Sequence, residues 1–273
     1  MGSSDHLSQA LHGPGHAERA LPSTHLYSFA TTGALDKYDQ YVVAKYGGSS
    51  TTEANEIAAD SYHYRDTPAD PSDDWWGHCH AWSASACLEP ESRTGKRHVI
   101  GDTTIDFTVG DLKGLLAAAY DQYTYASGWG WDDGHPAAGF HQLLVDWLRG
   151  SHQAVVADVE LSAEKWFHPL YKYEANMEAD ARDAKKVHVD CGLCYLEYGY
   201  PPETLTPIPP DPGQVTGHYW LNFNLSGGIV SGQWDGDLPV DTLTPPTGTA
   251  ASGCGGATLS RVYEIISGGS VWP

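Results

Sequence analysis

Residues 73 to 82 read DDWWGHCHAW, with Cys79 between His78 and His80 and with Trp75, Trp76 and Trp82 around it. A thiol in such company has three chemical uses: metal ligand, buried structural cysteine or activated nucleophile. Neighbouring side chains diverge and seldom ligate one tetrahedral ion. The CxxC at Cys191 and Cys194 has no second pair at finger spacing, so no metal site is expected. An inert cysteine in an Ala-rich helix describes Cys87 better than Cys79. The nucleophile reading rests on position. Small residues run from Cys79 to Leu88, and Pro90 is a stop, so a helix is predicted to begin at or just after Cys79. A thiol at a helix N-terminus feels the positive end of the macrodipole, which favours thiolate. The backbone N–H groups there form a ready oxyanion hole. Trp76, His80 and Trp82 would wall the substrate cleft. The thiol still needs a base, and a group to orient that base.

The elements that must position these groups can be read in turn. KYDQYVVAKY (37 to 46) has helical spacing, and TEANEIAADSY (52 to 62) opens like a helix. HVIGDTTIDFTVG (98 to 110) alternates around a Gly-Asp turn, a hairpin signature. DLKGLLAAAYDQY (111 to 123) predicts a helix with Asp111 as its cap. ASGWGWDDGHPAAG (126 to 139) reads as an aromatic loop, and FHQLLVDWLRG (140 to 150) as a helix closed by Gly150. HQAVVADVEL (152 to 161) reads as a strand. Residues 174 to 190 give no clear period, and 200 to 213 are a Pro-rich connection. HYWLNFNLSGGIVSGQW (218 to 234) predicts a second hairpin. Residues 244 to 256 read as loop, and 259 to 266 as a last strand or short helix. Helices and hairpins without regular alternation give an α+β class: one catalytic domain over 26 to 273 of helices packed on antiparallel hairpins, preceded by a flexible arm over 1 to 25.

A hydrophobic content of 41% marks a globular chain, and a formal charge of −20 works against nucleic-acid and anionic-membrane partners. No apolar run is long enough to span a bilayer. The first residues, MGSSDHLSQALHGPGHAERALP, show no secretory pattern; read as the start of a trimmed mature chain, they leave an extracellular location open. Five cysteines suit four in structural pairs plus one free nucleophile, which favours a secreted protein over a cytoplasmic one. Cys191 and Cys194 would join each other or bridge to Cys87 and Cys254.

Several segments, in order, resemble the transglutaminase-like elicitor family of oomycetes and its bacterial relatives. WWGHCHAWSASACLEPE is similar to that family's active-site segment. IGDTTIDFTVGDLKGLLAAAYD is similar to its strand, turn and Asp-(Ile/Leu)-Lys-(Ala/Gly)-Leu-Leu helix. HPAAGFHQLLVDWLRG is similar to its Asn-Pro-Gly-Ala-Phe-His helix, with His135 for the Asn and Ala138 and Gly139 exchanged. VVADVELSAEKWFHPLYKYE and HYWLNFNLSGGIVSGQWDGD resemble its later strands, without the usual Pro-Asp-Phe-Leu-Trp continuation. The likeness covers roughly residues 60 to 265.

The resemblance implies a transglutaminase/papain-like cysteine site. Acyl transfer would run from a glutamine side chain to an amine through a thioester on Cys79. His141 would be the base and Asp111 the orienting acid. The Cys-His-Asp order of papain-like sites offers Asp158 instead. Substrates would be proteins or peptides carrying glutamine and an amine acceptor. The enzyme would be a monomer that requires no cofactor, with calcium left open. Water as acceptor would make the same triad a cysteine amidase or peptidase, and a carbon nucleophile would make it a cyclase. An idle triad would leave a recognition protein.

Overall fold

The structure is a computed structural model that describes residues 33–59, 78–130, 136–159, 165–197, 213–236, 240–250 and 252–272. The arm expected over 1 to 25, Trp75, Trp76, His135 and most of the connection over 200 to 213 lie outside these residues. In chain order the elements are α1 (Ala34–Tyr46), α2 (Thr52–Ala59), α3 (Cys79–Leu88), β1 (Gly95–Ile100), β2 (Thr103–Phe107), α4 (Val109–Ala119) and β3 (Tyr123–Tyr125). Then follow β4 (Trp129–Gly130), α5 (Ala137–Leu144) with a π-helical extension (Val145–Gly150), β5 (Val155–Asp158), β6 (Phe167–Ala179), β7 (Lys186–Tyr195) and β8 (Gly213–Phe223). The chain continues with β9 (Ile229–Trp234), β10 (Thr242–Thr244), β11 (Pro246–Thr249), a 3-10 turn (Cys254–Gly256), α6 (Leu259–Ser267) and β12 (Ser270–Trp272). The mixture of helices and antiparallel strands is the α+β class expected.

The sequence reading has one catalytic domain over 26 to 273; by packing, the chain divides into two compact units, each with its own core. Among the described residues, a helical unit takes those up to Thr124 and those from Pro246. In it α3 is buried on every side, from Ala81 through Cys87, because its side chains are small enough to let neighbouring helices close in. Leu112, Leu115 and Ala117–Ala119 of α4, with Val262 and Ile265 of α6, are buried in the same unit. The hairpin of β1 and β2 turns at Gly101, where φ is +58°, and β12 adds a third strand beside β1. The cap of α4 is Thr108, and Asp111 stands at its third position. Thr108 Oγ1 accepts from the Asp111 N–H (3.1 Å) and Asp111 Oδ2 from the Thr108 N–H (2.7 Å). This Thr-x-x-Asp box corrects the expectation that Asp111 itself is the cap.

The second unit, from Tyr125 to Pro245, is built on a seven-stranded antiparallel sheet, order β4-β10-β5-β6-β7-β8-β9. α5 puts Phe140, Leu143 and Leu144 into its core, with Val155, Ala157, Tyr173, Val189 and Tyr219 from the strands. Gly150 ends the π-helical extension and the cap is Ser151. The unassigned stretch 174 to 190 belongs to the long β6–β7 hairpin, and the presumed loop 244 to 256 carries β11. Residues 259 to 266 are helical.

None of the five cysteines is in a disulfide. A Cys191–Cys194 bridge is ruled out by the pleat: three residues apart on β7, they point to opposite faces, Cys191 buried and Cys194 half-buried.

Candidate functional site

Cys79 is the first residue of α3, as expected, and is buried with 6% exposure. Position one of a helix leaves its N–H without an intrahelical acceptor and near the positive end of the dipole. His80, the next residue, is half-buried and hydrogen-bonds Cys79. Its Nε2 also lies 2.9 Å from the Asp121 carbonyl oxygen and 3.5 Å from Asp121 Oδ1. His78, the N-cap residue, places Nδ1 3.3 Å from Asp121 Oδ1 and Nε2 3.2 Å from Glu56 Oε1. Burial alone would discharge both rings. The hydrogen bonds to Asp121, and for His78 to Glu56, outweigh it and hold His78 up at about 9 and His80 up at about 10. Against its own burial, the Asp121 carboxyl is held well below the usual carboxylate range by the two imidazoles. Cys79 therefore sits beside an imidazolium fixed by a carboxylate.

Asp121 and Glu56 were missed in the sequence reading. Asp121 had a signal: it lies just past the C-terminus of α4, where the helix dipole disfavours an anion unless cations meet it. Glu56, His78 and Cys254 bring donor atoms within 4.8 Å of one another. Burial first, then the carboxylates of Glu56 and Asp121, push the Cys254 thiol well above its ordinary pKa, and Glu56 hydrogen-bonds it. Trp82 is a buried core ring, and His80 faces the ring of Tyr123 at 6.3 Å. Trp76 lies outside the described residues. Asp111 is 2% exposed, and besides the Thr108 N–H its Oδ2 accepts from Lys37 Nζ at 2.5 Å.

In the sheet unit, His141 is buried on α5, with Nδ1 2.7 Å from the Tyr219 hydroxyl. Burial lowers it to about 4, so it is neutral at pH 7. Tyr219 also hydrogen-bonds the Cys191 thiol. The arrangement that satisfies all three runs His141 Nδ1–H to Tyr219 to Cys191 and leaves the Nε2 lone pair as the acceptor. Tyr219 could have been suspected from sequence, because a Tyr on the inward phase of HYWLNF needs a partner for its hydroxyl. Asp158 is buried; its Oδ1 accepts from the Trp166 N–H at 3.3 Å and its Oδ2 is 3.7 Å from Lys165 Nζ.

Comparison with solved structures identifies the architecture. The GP42 transglutaminase from Phytophthora sojae superposes with a TM-score of 0.66 at 20% identity, over 95% of this chain and 91% of that one. The chain has the fold of that transglutaminase. No protein-family model and no curated protein matches the chain.

Proposed function

We propose that this chain is a thiol acyltransferase of the transglutaminase type, a member of the transglutaminase-like elicitor family, with Cys79 as nucleophile. The observation that carries the reading is local: Cys79 opens a helix and hydrogen-bonds an imidazolium that Asp121 holds. The GP42 likeness and the segment resemblance point to the same chemistry.

The proposed cycle balances as follows. The Cys79 thiol gives its proton to a general base, the role that the resemblance assigns to His141, while the His80 imidazolium meets the sulfur anion. The thiolate attacks a glutamine carboxamide carbon, with N–H groups at the start of α3 meeting the oxyanion. The C–N bond breaks and ammonia leaves with the His141 proton. An amine then attacks the thioester, its proton passes to His141, and the C–S bond breaks to return Cys79. A neutral imidazole suits this role, whereas one held near 10 is already protonated at pH 7. Tyr219 takes over the orienting role that the resemblance gives Asp111. The steps need no cofactor, and running the assay with and without calcium tests that. The expected substrates are glutamine-bearing proteins or peptides and primary amines, outside the cell.

The test uses a glutaminyl peptide and a fluorescent amine. His141→Ala should remove most of the 10²–10⁴-fold contributed by a general base. His80→Asn should lower kcat, because the cation beside the Cys79 sulfur is removed. Ammonia release without amine incorporation would move the chain to the amidases. Full turnover by His141→Ala would transfer the base role to His80.

A further inference from the structure

The outer face of the β7–β8 ladder carries groups that acyl transfer does not use. Asp190 on β7 pairs directly with His218 on β8, and His188, two residues before Asp190, pairs with Trp220. The period of two puts His188, Asp190 and His218 on one face. His218 Nδ1 is 2.6 Å from Asp190 Oδ1, and His188 Nδ1 is 3.6 Å from the same oxygen. The two rings are parallel, with centroids 6.3 Å apart. Their donor atoms all lie within 4.8 Å of one another. The far nitrogen of His188, Nε2, is 3.4 Å from Asp235 Oδ2.

We propose that His188, Asp190 and His218 bind a divalent transition-metal ion, with Asp235 orienting His188 from behind. Three arguments support this. Two imidazole nitrogens converge on one carboxylate oxygen, so that a single cation can meet all three donors at once. A carboxylate on the outer nitrogen is the usual way a ligating imidazole is fixed. Two nitrogens and one oxygen suit zinc, copper or nickel, whereas calcium takes six to eight oxygens. Asp190 and His218 are exposed, and His188 also lines a cavity of about 420 Å³ with Glu178, Asp180, Arg182 and Trp220. The inference does not depend on the acyl-transfer reading.

Zinc chloride titrated calorimetrically into the chelator-stripped full chain tests it. Wild type should show one equivalent that His188→Asn/His218→Asn lacks, with both proteins melting alike. Asp235→Asn should weaken that equivalent by about 10–100-fold. If the double variant misfolds, Asp190→Asn alone should weaken it by tenfold or more. Unchanged zinc stoichiometry and affinity in these variants, or displacement of zinc by millimolar calcium, would overturn the proposal.

Discussion

At the scale of single residues, the carboxylate expected to orient the base also has structural partners. Asp111 looks catalytic from its place in the segment order, yet its carboxylate closes the Thr108 capping box and pairs with Lys37. Asp111→Asn keeps an acceptor for the Thr108 N–H but removes the buried charge that pairs with half-buried Lys37, so we expect a loss of about 1–3 kcal/mol in stability. Chemical denaturation measures it; an orienting role would instead cut the rate by roughly 10⁴-fold in a protein of unchanged stability. Tyr219→Phe removes the group that fixes the His141 tautomer. Its kcat should fall at least about tenfold, toward the loss caused by removing the base itself, with little change in KM. Cys79 was legible because its neighbours in sequence are also its neighbours in space. Asp121 and Tyr219 carried only a local hint and Glu56 none, since their partners lie 41 to 78 residues away along the chain or, for Glu56 and His78, on separate elements.

At the scale of elements, the helices and two tight hairpins could be read because each has caps, apolar periodicity or a Gly turn. The β6–β7 hairpin escaped: the end of β6, from Glu174 to Ala179, is mostly Glu, Ala and Asn, poor strand formers, and the turn over 180 to 185 is charged rather than Gly-rich. Register, which sequence does not give, explains one glycine. A Cβ on Gly232 of β9 would lie 2.4 Å from the backbone N of Ala138, in the first turn of α5. Backbone cannot move aside as a side chain can, so α5 would have to shift, and His141 rides on α5. Gly232→Ala should therefore destabilise by about 1–3 kcal/mol and lower transamidation further than the loss of folded protein explains. A variant with wild-type melting and activity would show that β9 and α5 are not so closely packed.

At the scale of the whole molecule, two pairs of histidines, one in each unit, act in opposite pH windows, while His98 of the helical unit, lowered by burial, acts in the same direction as the sheet pair. Burial holds His141 and His168 at about 4, against Tyr219 for one and the Leu196 carbonyl for the other. Their unfolded value is near 6.5, so between 6.5 and 4 the unfolded chain binds more protons and the sheet unit loses stability as pH falls. His78, facing Asp121 and Glu56, and His80, facing Asp121 and Cys79, are held up at about 9 and about 10. Their contribution is complete below about 6.5 and is lost as pH rises through those values. Limited proteolysis with mapped cuts should open the sheet unit first in acid and the helical unit first in alkali; the same unit yielding first in both would contradict this. Among the described residues no helix is long and apolar enough to cross a membrane. The central claim is that Cys79 carries the acyl group. It is met most directly by incubating the protein with a glutaminyl peptide, quenching in acid and weighing the intact chain. The prediction is a mass increase of one acyl group on Cys79, discharged by added amine with the amide product appearing in step, and absent from Cys79→Ala. Amine incorporation by Cys79→Ala, or an adduct on any other residue, would contradict it.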